Sequence, residues 1–143
     1  MPAPDLLFRN IDVDPSADFC DWPTEAINTA IERGSLRHWS RIAAAIGRDP
    51  WGPVTRRVEE VLASTRPYGV AVGMDHHIVE ARTRAVAEEK SQVSAELRSL
   101  LEDSQLSAAQ FASRLGTSPS RLSTYLSGQV VPSATLIVRA RRI

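Results

Sequence analysis

Three groups of side chains in this chain are of types that could carry chemistry. Asp75-His76-His77 offers metal-ligand atoms. Cys20 and His38 could be written as a nucleophile and its base, and Ser120, Arg121 and Thr124 carry donors suited to base edges. The first group fails on geometry, because neighbouring side chains on a helix diverge by about 100° and cannot converge on one ion. The only other candidate ligands of that kind, His38 and Cys20, stand far away in the sequence. Asp75-His76-His77 is therefore expected to be a solvated helix start. Nothing brings Cys20 to His38, and in the pair Phe19-Cys20 the thiol reads as a small apolar filler. Glu59-Glu60 and Glu88-Glu89 lie beside Arg56-Arg57 and Arg82-Arg84 and read as solvated helix faces. No Gly-rich phosphate loop is present. The expectation is a protein without catalytic residues, metal or cofactor.

The third group gains weight from where the charges lie. The 143 residues hold 17 Lys+Arg and 17 Asp+Glu, a formal net charge of zero. Residues 1–25 carry six acids against Arg9, a net of −5, and residues 26–103 balance at 11 of each sign. Residues 104–143 carry Arg114, Arg121, Arg139, Arg141 and Arg142 with no acid, a net of +5. Neutrality is thus a cancellation between an acidic head and a basic end, and such asymmetry points to a polyanion partner.

The elements that must position these residues read as helices, so the fold class is all-α. Residues 1–20 mix Pro, Asp and Ser and are expected to form an acidic, poorly ordered or loosely docked arm. A helical region follows over 21–69. Asp21 is placed as the cap of its first helix, with Pro23 near the first position, Ile27, Ala30 and Ile31 inward and Gly34 as the stop. Ser35 opens a second helix with Leu36, Trp39, Ile42, Ala43 and Ile46 at helical spacing and Gly47 as its stop. Asp49-Pro50-Trp51-Gly52-Pro53 is a turn, and a third helix runs from Pro53 to about Ser64 with Val54, Val58, Val61 and Leu62 inward. Arg66-Pro67-Tyr68-Gly69 breaks the chain. Trp22, Trp39 and Trp51 sit at helix edges or in the turn, where a core role is the simpler reading and an interface the alternative. Residues 70–92 are assigned to a connecting helix. Val72, Val79, Val86, Val93 and Leu100 recur every seven residues along one side of it, but Arg82, Glu89 and Lys90 spoil the companion seam of a coiled coil. A bend between Glu88 and Val93 is left open.

Residues 93–143 hold the most specific pattern. A helix from Val93 to about Asp103 offers Leu97, Leu100 and Leu101. Ser107 then caps a short helix over 108–115 that Gly116 stops. Ser118 caps the next, with Pro119 at its first position, Leu122, Tyr125 and Leu126 inward, and Gly128 as its end. Pro132-Ser133 opens a last helix with Leu136, Ile137 and Ala140 inward. Two short helices joined by a tight turn, the second bearing small polar residues and an Arg outward, have the geometry of a helix-turn-helix. A major groove about 12 Å wide admits one such helix.

The run from Leu97 to Arg142 resembles the Cro/phage-repressor (XRE) type helix-turn-helix family. The residues that carry the resemblance are Leu106-Ser107, Phe111-Ala112, Leu115-Gly116, Ser118, Leu122-Ser123, Gly128 and Pro132-Ser133. Carried over by position, the resemblance implies base contacts from Ser120, Arg121 and Thr124. It implies backbone contacts from Ser107, Ser118 and Ser123, and the basic charge adds Arg114, Arg139, Arg141 and Arg142. Ala108 and Pro119 stand where many members have Gln, which implies a sparse contact set leaning on Arg121.

The expected function is a sequence-specific regulator binding double-stranded DNA, a repressor or autorepressor and a homodimer, since one recognition helix reads too few base pairs alone. The alternative is an antitoxin-like protein that neutralises a partner through residues 21–65 and autoregulates its operon. A lone Cys20 and the absence of a ~20-residue apolar run give the expectation of a cytoplasmic protein off the membrane.

Overall fold

A computed structural model describes residues 8–65 and 69–143. Among these residues it contains seven α-helices and no strand: α1 (Thr24–Arg33), α2 (Leu36–Arg48), α3 (Pro53–Ser64), α4 (Val70–Asp103), α5 (Ala108–Leu115), α6 (Pro119–Leu126) and α7 (Ala134–Ala140). No helix among them is long and apolar enough to cross a membrane. The chain divides into two compact units, Met1–Ala85 and Val86–Ile143. The fold is all-α, as expected.

In the first unit, α1 packs against α3 and α2 beside both. Each offers the apolar stripe that its spacing predicts: Ile27, Ala30 and Ile31 from α1, Ile42 and Ile46 from α2, and Val54, Val58, Val61 and Leu62 from α3 are all buried. Trp22 lies fully buried among them, edge-on to Phe8 and Phe19. Trp39 is half-buried and donates its indole N–H to the Ala30 carbonyl at 3.0 Å, joining α2 to the end of α1. Thr55, the one buried polar side chain of α3, donates to the Asp49 carbonyl and closes the 49–53 turn.

Several boundaries differ from those read in the sequence, each for a local reason. Asp21 does not cap α1. It ends a short 3-10 turn, Phe19–Asp21, whose own cap is the Asp18 carboxylate, and Pro23 is the residue preceding α1. Gly47 does not stop α2, which continues to Arg48; the stop comes from Pro50, which holds Asp49 out of helical geometry. Leu36, placed on the inward stripe, is 74% exposed because it occupies the first turn, beyond the end of the packed face. Residues 8–20 are not a loose arm: Phe8, Ile11, Val13 and Ala17 pack on the core and Phe19 is buried in it. Alternating apolar residues among the prolines and aspartates supply the contacts. The remainder of the expected arm, residues 1–7, and the break at Arg66-Pro67-Tyr68 lie outside the described residues.

The helix α4 is continuous from Val70 to Asp103, so residues 70–103 form one helix and not two. Its first part is no mere connector, because Ala71, Met74, Ile78 and Ala81 are buried in the first core. The boundary between units therefore falls at Ala85/Val86 and not at the start of a separate connecting segment. The seven-residue valine recurrence marks the solvent side instead, with Val72 and Val79 58% and 64% exposed. Three contacts clip this part of α4 to its neighbours. The His77 Nε2–H donates to the Ala43 carbonyl at 2.7 Å, and Arg82 donates to the Pro50 carbonyl and pairs with Glu59 at 2.7 Å.

Trp22→Ala removes the largest side chain of this core and is expected to cost about 3–5 kcal/mol. Urea unfolding followed by circular dichroism checks it; a midpoint equal to the unsubstituted chain's would show that Trp22 is not a core member.

Candidate nucleic-acid interface

The second unit is built on short helices, so its geometry rests on how their ends are satisfied. Leu97 from α4, Phe111, Ala112 and Leu115 from α5, Leu122 from α6 and Leu136 and Ala140 from α7 form one buried cluster. An eight-residue helix leaves most of its backbone polar groups near an end, and each end here has a partner. At α5, the Ser107 hydroxyl accepts from the Gln110 N–H at 3.2 Å, while the Gln110 side chain accepts from the Ser107 N–H at 3.0 Å. This capping box joins two orphan donors reciprocally. Gly116 closes α5 in the left-handed region at φ 74°, and the Thr117 N–H donates back to the Ala112 carbonyl. At α6, Ser118 accepts from the Arg121 N–H at 3.1 Å and Pro119 fills the first turn. Ser133 does the same for α7.

Arginines complete the closure. The Arg139 guanidinium donates to the Leu115 carbonyl, so α7 seals the C-terminus of α5. Arg98 on α4 donates to the Leu126 carbonyl at 2.6 Å and seals α6. A cation at a helix C-terminus also complements the helix dipole. Arg141 pairs with Glu96 at 2.7 Å, and that hydrogen bond, with the carboxylate charge, raises the guanidinium above its ordinary pKa. Arg139 thus closes a helix end, while Arg141 is engaged in a surface ion pair. Arg98 is absent from the residues that the sequence singles out, because it falls within the balanced charge of residues 26–103; its one local signal is a cation beside core residue Leu97.

The other expected contact residues separate clearly. Ser120, Arg121 and Ser123 are exposed on α6, and Arg114 and Arg142 are exposed on α5 and after α7. Among the described residues the guanidinium groups of Arg114, Arg121 and Arg142 make no hydrogen bond or ion pair. Residues 120, 121 and 124 share one side of α6 at three- and four-residue spacing. Thr124 is half-buried and donates its hydroxyl to the Arg121 carbonyl at 2.7 Å, so its hydroxyl proton is already committed within α6. Ser107 and Ser118 use their oxygens as caps but keep a hydroxyl proton to donate.

Residues 92–143 match the family model of a helix-turn-helix domain. The C-terminal third of the chain is therefore a helix-turn-helix domain, with α5 and α6 as its two short helices. No curated protein and no solved structure matches the chain.

The remaining candidate groups are held differently. His38 is engaged with Ser35 across the first turn of α2, where its Nδ1 accepts from the Ser35 N–H at 3.0 Å. His77 is committed to Ala43, and His76 is exposed. No group of three His, Cys, Asp or Glu among the described residues is arranged to hold a metal ion. Cys20 is exposed, not the apolar filler expected, because Phe19 takes the buried place beside Trp22. Its thiol pKa is raised, first by the hydrogen bond with Asp18 and then by the carboxylate charges of Asp18 and Asp21.

Two outcomes follow. Gly116→Ala places a side chain at positive φ and 3.2 Å from the Arg139 guanidinium, and is expected to cost roughly 1–2 kcal/mol in thermal unfolding. Cys20 is expected to react with iodoacetamide slowly at pH 8, and Asp18→Asn should move its alkylation profile to lower pH; mass spectrometry reads the rates, and overlapping profiles would rule out carboxylate control.

Proposed function

We propose that the chain is a sequence-specific DNA-binding transcriptional regulator, a repressor or autorepressor that binds as a homodimer. The observation that carries this reading is the outward face of α6 within the helix-turn-helix domain. There Ser120 and Arg121 are exposed beside a rigid, doubly capped turn. A planar guanidinium can donate two hydrogen bonds to the O6 and N7 of guanine, an interaction that discriminates by about 1–3 kcal/mol. Arg114 and Arg142, free of internal partners, are assigned to phosphates, as are the hydroxyls of Ser107, Ser118 and Ser123. Arg139 and Arg141 contribute positive potential from their places in the fold. Two copies reading a palindrome supply the length of site that one eight-residue helix cannot.

Selection of bound fragments from random duplex DNA tests activity and half-site spacing together: a two-fold repeated motif is expected, and no enrichment would overturn the reading. On the selected site, Arg121→Ala is expected to lose about 10-fold or more in discrimination over random DNA while random-duplex affinity changes little. Replacing Arg114 and Arg142 with Gln should make the salt slope of binding shallower by roughly 0.9 for each phosphate no longer neutralised. Unchanged discrimination removes Arg121 from the base contacts, and an unchanged slope removes the pair from the phosphates.

A further inference from the structure

The first unit carries a charged face that the helix-turn-helix does not account for. Helix α2 contains Arg37, Arg41 and Arg48 and no Asp or Glu. At about 100° per residue these three arginines and Ala44 fall within a sector of roughly 60°. All four are exposed, and so are Ser40 and Gly47 on the adjoining flank. The outer surface of α2 is therefore a row of three cations beside a row of three small residues. A Cβ built on Gly47 would meet nothing within 4 Å, so this flank is open to close approach. The arginines span about 16 Å of helix axis, a length over which duplex DNA presents roughly nine phosphate charges.

Helix stability does not explain this arrangement. A cation in the last turn, as at Arg48, complements the helix dipole, but Arg37 lies in the first turn, where a cation opposes it. Arg41 is held over the Phe19 ring, its guanidinium carbon 4.8 Å from the centroid, and so is pre-positioned at the surface. Arg41 and Arg48 also line one cavity with Asp18, Phe19 and Ala44. The Asp18 carboxyl is held below its ordinary pKa first by hydrogen bonding to Cys20, and in smaller part by the charges of Arg48 and Arg41. The acidic N-terminal segment thus places one carboxylate in the cavity that two of the three cations line.

We propose that the Arg37–Arg41–Arg48 face of α2 is a second, sequence-independent DNA backbone-binding surface, and that Asp18 competes with phosphate for it. The inference rests on the DNA-binding reading of the helix-turn-helix domain. A non-specific grip in the first unit acts on affinity and salt dependence without reading bases. Exposed guanidinium groups beside Ser40, Ala44 and Gly47 suit a phosphate backbone, which needs closeness and positive charge in place of a fixed donor pattern.

The test uses the full chain and a labelled random-sequence duplex of 30 base pairs, with binding followed by fluorescence anisotropy over a series of NaCl concentrations. Arg37→Gln with Arg48→Gln leaves the Arg41–Phe19 contact and the core intact, and circular dichroism confirms the fold. The slope of log affinity against log salt is expected to become shallower by roughly 0.9 for each arginine removed, and further when Arg41→Gln is added. Asp18→Asn keeps an oxygen to cap the Phe19–Asp21 turn and is expected to tighten binding severalfold at low salt. A slope equal to the unsubstituted chain's overturns the second surface, and Asp18→Asn affinity no tighter than the original overturns the competition. Arg121→Ala separates this from the function proposed above. Lost discrimination belongs to α6 alone, so discrimination that survives in Arg121→Ala counts against the α6 base contact and leaves the slope result standing. Failure of the unsubstituted chain to bind any duplex overturns both.

Discussion

The second unit depends on one constraint, the satisfaction of the backbone at the ends of very short helices. Isolated helices of seven or eight residues do not persist in water, since nucleation is costly and few hydrogen bonds repay it. Packing around Leu97, Phe111 and Leu122 supplies part of the stabilisation. The rest comes from the termini. Serines 107, 118 and 133 cap three successive N-termini, Gly116 turns one C-terminus through the left-handed region, and Arg98 and Arg139 seal the last carbonyls of α6 and α5. The orientation of α6, and with it the face carrying Ser120 and Arg121, is a product of those closures.

Closing helix ends with arginine divides the positive charge of this unit into two kinds. Arg98, Arg139 and Arg141 have carbonyl or carboxylate partners within the fold, whereas Arg114, Arg121 and Arg142 project into solvent. A count of charges treats the two kinds alike. A guanidinium already bonded to a helix-terminal carbonyl still contributes to the potential over the surface, but moving it onto a phosphate would reopen the helix end. The free set is therefore the set able to move onto a ligand without loss of structure.

Much of this is legible in the residues because end signals are local. Ser-x-x-Gln at 107–110, Ser118-Pro119 and the glycines at 116 and 128 each specify a boundary through their own backbone chemistry, and each lies where that chemistry puts it. What the residues do not reveal depends on tertiary choice. In α4 two apolar patterns compete, the valines at seven-residue spacing and Ala71, Met74, Ile78 and Ala81 at three- and four-residue spacing. The core takes the second, burying Met74 and Ile78 between two alanines, and leaves Val72 and Val79 in water. Residues 8–20 mislead for a related reason. Prolines and aspartates make them read as an arm, yet a few apolar side chains suffice to dock them once the Trp22 pocket exists to receive Phe8 and Phe19. The role of Arg98 is hidden because a carbonyl partner 28 residues away leaves no trace in local spacing.

The docking of that segment changes what the zero net charge means. As a free tail, six acids in the first 25 residues would act through a diffuse field, largely screened beyond a Debye length of about 8 Å at physiological salt. Fixed on the core, Asp18 lines one cavity with Arg41 and Arg48, whose charges contribute in small part to holding its carboxyl below its ordinary pKa. Its carboxylate also caps the Phe19–Asp21 turn, so the ion keeps a structural task whether or not the arginines are engaged. The same turn buries Phe19, the ring that carries Arg41. One short segment therefore both presents a cation at the surface and sets an anion beside it, and the balance of charge is held locally in the fold as well as between the two ends of the chain.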